Sequence, residues 1–317
     1  MRICYVGAGN FSNAFIHPQL HRHGVELAGI CDLELDKARA AAGRWGFRRV
    51  YSDFERMCEV EQPDAVFCVG RQAMQHDVGL RLLERGLPTY VQKPAAQTAV
   101  EVREMAEMSE RSGTLCHVGF NLRSSPVALR VREIIASEQF GGPTMMVFRY
   151  GLMANRVWSK AIADQHIHAI DFIIHLLGDW QQVQVLPLLD ERARGYIAAI
   201  GMCSGAVASL CTVSEQDPDF EFLYYEITGH GGHQLISHDG DLVYHRKGGD
   251  DVHMSMGTWR RDRVIDWWGY FEDVRNFLAA ARGEEPDRCP VADTIRAMEL
   301  GEEIARQCYE AGIDDGS

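Results

Sequence analysis

The segment Val6-Gly7-Ala8-Gly9-Asn10-Phe11-Ser12 constrains this chain more than any other. It follows the apolar run RICYVG, opens a helical stretch, and matches GxGxxG with Ser12 in the place of the third glycine. In such a turn the first glycine permits a tight reversal and the second lets the backbone approach a pyrophosphate, which then faces a helix N-terminus. Glycines also end strands for turn geometry alone, so the pair is weak evidence by itself. Asp32 adds to it. This acid closes the next apolar run, VELAGIC, about 20 residues on, where a carboxylate accepts hydrogen bonds from the adenosine ribose hydroxyls. Strand, turn, helix, strand and acid together predict a dinucleotide site at Gly7, Gly9, Asn10, Phe11 and Asp32. The Asp32 charge repels a 2'-phosphate and favours NAD over NADP, with Lys37 as the nearby cation that could accept a phosphate.

The rest of the first 120 residues continues the pattern. The runs DAVFCVG, PTYVQ and TLCHVG alternate with the amphipathic stretches MQHDVGLRLLERG and VEVREMAEMSERSG. Bare apolar strands separated by helices predict a parallel sheet covered on both faces. Gly86 and Gly113 stand where helices end before the next strand. Beyond residue 120 the texture changes. Helices are expected at Pro126 to Ser137 and about 163 to 177, and the run GGPTMMVFRYGLM reads as a strand. Between 180 and 246 a series of strands with short turns predicts a largely antiparallel sheet. Two helices, about 267 to 282 and 291 to 312, close the chain. At 317 residues, two domains are expected: a Rossmann domain over 1–120 and an α+β domain with an open sheet over 121–317.

Charge and composition exclude several partners. A net charge of -13 with scattered Lys and Arg repels nucleic-acid backbones. No apolar run approaches 18 residues, and the N-terminus enters a strand at once, which points to a soluble cytoplasmic protein with no membrane partner. The nine cysteines form no CxxC pair and read as reduced thiols.

Past PTYVQ come three further groups: Gln92-Lys93-Pro94, then Gly119-Phe120-Asn121-Leu122-Arg123-Ser124-Ser125-Pro126, then Asp164-Gln165-His166-Ile167-His168-Ala169-Ile170-Asp171. In their order and spacing, together with the glycine turn and ITGHGG near the end of the second sheet, they resemble the glucose-fructose oxidoreductase, inositol dehydrogenase and MocA family (Gfo/Idh/MocA). The likeness extends over essentially the whole chain. It implies that Lys93, the lysine of the family's Glu-Lys-Pro turn, lies between nicotinamide and substrate, with Pro94 and His76 beside the cofactor; His76 serves equally as a capping or packing residue of its helix. It further implies that His168 takes the proton of the substrate hydroxyl and that Asp164 orients substrate or histidine. This chain departs from the family at Ser12, at Gln92 in place of Glu, and at His166 where a glycine is usual.

The helix motif carries an argument of its own. Asp164, His168, Asp171 and His175 are spaced by 4, 3 and 4 residues and share one face of an ideal α-helix, with His166 pointing away. An imidazole changes protonation near neutrality, so it suits removal of a hydroxyl proton as hydride leaves carbon. The same face could hold a metal, but the spacing lacks the HExxH or cysteine-rich pattern of a dedicated site, and none is expected. Asn121 and Arg123 on the crossover, and Trp158 with Arg156 upstream of the helix motif, are candidates for substrate contact. Asn121 and Arg123 serve equally as ties between domains.

The resulting expectation is an oxidoreductase passing hydride between NAD and a secondary alcohol or ketone of a sugar, sugar derivative or cyclitol, assembled as a homodimer or homotetramer through the open sheet. Two alternatives use the same cofactor fold. One is a lyase or glycosidase that oxidises its sugar only transiently and returns the hydride. The other is a sensor that binds NAD without chemistry.

Overall fold

The computed structural model describes residues 1–151, 161–189, 194–213, 223–255 and 264–312. They form two compact units: Met1–Ser124 with Gly269–Ile295, and Ser125–Trp268 with Arg296–Ser317.

The first unit is built on a six-stranded parallel sheet in the order β3-β2-β1-β4-β5-β6. Its strands are β1 (Arg2–Val6), β2 (Glu26–Cys31), β3 (Arg49–Tyr51), β4 (Ala65–Cys68), β5 (Thr89–Gln92) and β6 (Cys116–Gly119). Between them run α1 (His17–Arg22), α2 (Leu35–Trp45), α3 (Phe54–Glu61), α4 (Gln72–Glu84) and α5 (Ala99–Ser112). The central strands are buried on both faces, as their unbroken apolar runs require. Short β3, half-buried apart from exposed Arg49, is the one strand of this sheet that the apolar runs do not announce. Local chemistry fixes the helix ends: Thr98 and Glu101 form a reciprocal capping box on α5, and Asp53 caps α3. Gly113 takes the left-handed conformation that ends α5.

Helix α8 (Tyr270–Ala281) belongs to this first unit. A division at 120/121 assigns it to the second, and aromatic packing explains the difference. Tyr270 stacks on Phe15 with ring centroids 5.1 Å apart, and Phe277 meets Phe67 edge-on at 5.0 Å. Tyr270 and Phe277 thus serve as core for the N-terminal sheet.

The second unit carries an eight-stranded sheet in the order β14-β13-β12-β11-β7-β10-β9-β8. The strands are β7 (Pro143–Tyr150), β8 (Trp180–Leu189), β9 (Arg194–Met202), β10 (Val207–Val213), β11 (Leu223–Gly229), β12 (Gln234–His238), β13 (Asp241–His245) and β14 (Val252–Met254). Every neighbouring pair is antiparallel except β7 with β10. Helices α6 (Pro126–Ile135), α7 (Ile167–Leu177) and α9 (Ile295–Glu310) and a short helical turn, Val264–Trp267, accompany the sheet among the described residues. Phe172 of α7 packs on Phe148 and Tyr225, so α7 covers one face of the sheet. α9 lies against α7, where Gly301 leaves room for Ile167 and Ile170. The other face shows Met145, Leu186, Leu188, Ile197 and Val207, each between 41% and 62% exposed. Edge strand β8 is blunted by Gln307, whose amide bonds Val185 N–H and Val183 O at 2.9 and 3.0 Å.

Candidate active site

The glycine turn sits at the C-terminal end of β1, where open parallel sheets bind ligands. Gly7 has φ +101°, and a Cβ there would lie 2.0 Å from the carbonyl oxygen of Val69, so no side chain fits. A Cβ on Gly9 would meet nothing within 4 Å. The turn therefore closes tightly at its first glycine and is open at its second, the cradle a pyrophosphate requires. Gly7 N–H bonds Cys31 O at 2.8 Å, tying the turn to β2.

The Asp32 carboxylate accepts hydrogen bonds from Ala8 N–H at 2.7 Å and Glu34 N–H at 2.8 Å. Lys37 is engaged by Glu34 at 2.5 Å. Asn10 is exposed at the turn, and Phe11 packs on Phe15 at 4.9 Å. Ser12 is buried and begins a π-turn, Ser12–Ile16, ahead of α1. Asn13 follows it, and its amide donates to Ala8 O and Gly9 O at 3.0 and 2.9 Å. Such wide turns recur at functional positions in helices.

Lys93 and Pro94 follow β5 on the same edge of the sheet, joined by a cis peptide bond. Beneath them lies a buried polar chain. Gln92 Oε1 accepts from Lys93 N–H at 2.9 Å, and Gln92 Nε2 donates to Tyr90 Oη at 3.1 Å. Tyr90 Oη donates to Asp273 at 2.8 Å. The other oxygen of Asp273 faces His117 Nε2 at 3.2 Å, and His117 Nδ1 faces Asp287 at 2.6 Å. Burial acting alone would lower the His117 pKa. The Asp287 and Asp273 carboxylates override it and raise the value to about 10, so the imidazole is a cation between two acids. Burial, reinforced by Asp273, raises the Tyr90 pKa and keeps its proton in place.

His76, read from the sequence as a cofactor neighbour, is engaged with Asp77 at 3.1 Å and with Glu104 of α5 at 3.0 Å. Asn121 and Arg123 are both buried in the 3-10 turn Asn121–Ser124, and Arg123 donates to Asp293 O at 3.4 Å.

The Asp164 motif lies in the second unit. Asp164 sits in a π-turn, Ile162–His166, that leads into α7. This turn is wider than an α-turn, so Asp164 does not keep α-helical spacing to His168 and Asp171 in α7; Asp164 is exposed, His168 half-buried and Asp171 fully buried. His166 points into the unit, its Nδ1 2.6 Å from Tyr196 Oη of β9. Burial pushes the His166 pKa down to about 3 and raises that of Tyr196, so Tyr196 donates to a neutral imidazole. Trp158 and Arg156 lie outside the described residues. Among the described residues no group of His, Cys, Asp and Glu could hold a metal ion.

Gln75, Tyr90, His117 and Asp273 are the residues of this region that motif reading passes over. Gln75 had a signal: it falls in step with the buried Gly79 and Leu82 on the inner face of α4, where a polar residue needs a reason.

A glycine cradle open at its second position, backed by an acid at the end of β2, defines a dinucleotide-binding Rossmann protein. Residues 1–120 match the Gfo/Idh/MocA family model, described as "Oxidoreductase family, NAD-binding Rossmann fold". Over those residues the chain is similar to that family. It is 25% identical over 191 residues to D-glucoside 3-dehydrogenase of Escherichia coli, covering 56% of this chain and 54% of the relative. The chain spans about half the length of the first curated relatives it matches. Among solved structures, a dehydrogenase from Chromobacterium violaceum superposes with a TM-score of 0.87 at 19% identity, covering 99% of this chain and 97% of the other. Levoglucosan dehydrogenase, solved with NADH and L-sorbose, gives 0.82 at 17% identity, covering 97% and 96%. At these identities the superpositions show a shared fold.

Proposed function

We propose that this protein is an NAD-dependent dehydrogenase, or the corresponding ketoreductase, acting on a secondary alcohol of a sugar, sugar derivative or cyclitol. The observation that carries the reading is Lys93, held on a fixed turn at the sheet edge that also carries the glycine cradle. The curated D-glucoside relative and the family resemblance support the substrate class. Asp32, already accepting two N–H groups beside the cradle, supports NAD over NADP, because a 2'-phosphate would meet its charge.

When bound, NAD supplies the hydride acceptor. Lys93 hydrogen-bonds the reacting oxygen and stabilises the charge that develops on it. His168 takes the hydroxyl proton as the C–H bond gives up its electron pair to that acceptor, leaving a ketone and a protonated imidazole. Asp164 orients the substrate or the imidazole. The reverse reaction returns the proton from His168. The test is a fluorescence screen for NADH and NADPH with a panel of sugars, glycosides, cyclitols and their keto forms. Net NADH formation with one of them supports a dehydrogenase, whereas products formed from glycosides without net NADH assign transient oxidation instead.

The same reading makes the exposed face of the second sheet the contact with another copy in a homodimer or homotetramer of a soluble cytoplasmic enzyme. Its apolar residues Met145, Ile197 and Val207 support that use. Light scattering of Ile197→Glu, expected to run at a lower mass than the native protein, checks it.

A further inference from the structure

Gln75 is 1% exposed, and all four hydrogen-bonding positions of its amide are used. Nε2 donates to the carbonyl oxygens of Gln92 and Pro94, at 2.8 and 2.9 Å. Oε1 accepts from Gln92 N–H at 3.0 Å and from Gly70 N–H at 3.3 Å. One side chain from α4 therefore grips the backbone on both sides of Lys93. It also anchors the loop whose Val69 carbonyl closes over Gly7.

Gln92 holds the residue between those two carbonyls. Its Oε1 takes the N–H of Lys93 itself, and its Nε2 must donate, because the proton of Tyr90 Oη is already committed to Asp273. A carboxylate at position 92 would set two acceptor oxygens against each other in a buried site, an arrangement that costs free energy. The usual glutamate of the family is thus incompatible with the Tyr90–Asp273 bond, and an amide satisfies it. Gly119 provides the room: a Cβ there would lie 2.3 Å from Tyr90 Oη and 2.8 Å from Gln92 Nε2.

We propose that Gln75 and Gln92 are positioning residues for Lys93, two buried amides that fix its turn from opposite sides. This rests on the reading that Lys93 lies at the reacting oxygen. A lysine that must meet both nicotinamide and substrate needs a fixed backbone, since small displacements of a reacting group lose much of the advantage of proximity.

The chain has four lysines, Lys37, Lys93, Lys160 and Lys247, so the test is carbon-13 reductive methylation of the whole protein. The Lys93 resonance is assigned by its absence in K93R. Saturating NADH is expected to shift that resonance in the native protein. In Q75M and in Q92E the shift is expected to be lost, while NADH still binds by fluorescence and the Lys247 signal stays in place. Q75E preserves volume and both acceptor contacts but not the donors to Gln92 O and Pro94 O. It is read with the same expectation if Q75M does not bind NADH. A native-size shift in the variants overturns the positioning role and leaves the placement of Lys93 standing. No shift in the native protein contradicts that placement, and the positioning role falls with it.

Discussion

The Asp32 carboxylate lies 2.7 Å from the amide nitrogen of Ala8, between the two glycines of the phosphate turn. On the proposed reading, the acid that selects the cofactor ribose also braces the turn that receives the pyrophosphate, which couples affinity and selectivity at one residue. Replacing Asp32 by Ala removes the charge that repels a 2'-phosphate. The ratio of NADPH to NADH affinity is expected to rise by at least about tenfold, roughly 1.4 kcal/mol, and affinity for NADH to fall. Fluorescence titration with both cofactors measures this.

Gly7→Ala places a side chain at φ +101° and against the backbone oxygen of Val69. The expected loss of stability is about 1–3 kcal/mol, with NADH binding abolished. Gly9→Ala, which meets no protein atom, keeps native stability. Thermal denaturation of the two variants separates a conformational requirement from a ligand requirement.

The buried His117 cation makes stability depend on alkaline pH. Its folded pKa of about 10 stands above the ordinary 6.5. The stabilisation it contributes is full below about pH 6.5 and is lost as pH rises through about 10. Unfolding free energy from denaturant titrations is expected to decline across that window. His117→Asn, which leaves two buried carboxylates without their cation, costs about 3–5 kcal/mol at pH 7.

Tyr196→Phe removes the donor to the neutral, buried His166. The expected cost is about 1–3 kcal/mol, read by denaturant titration, with NADH affinity unchanged.

Much of this architecture is legible in residue order. Strands β1, β2, β4, β5 and β6 follow apolar runs buried on both faces, and the cradle follows from Gly7 and Gly9, whose roles are local. Other features depend on contacts distant in sequence. Tyr270 reaches Phe15 and Asp273 reaches Tyr90 across more than half the chain, and Asp273 reaches His117 across nearly half, so nothing around them announces that α8 completes the first unit. The π-turns at Ser12–Ile16 and Ile162–His166 escape a reading based on α-helical spacing, because they change the spacing itself. Position 92 shows the same limit: its amide is explained by Tyr90 and Asp273, one of which lies far along the chain.

The most direct test of the proposed chemistry is His168→Ala, assayed for turnover with the substrate found in the panel and for NADH affinity in parallel. Loss of the proton acceptor should lower kcat by about 10²–10⁴-fold, with the Kd for NADH essentially unchanged. Turnover at the native rate would contradict the assignment of His168 as the base.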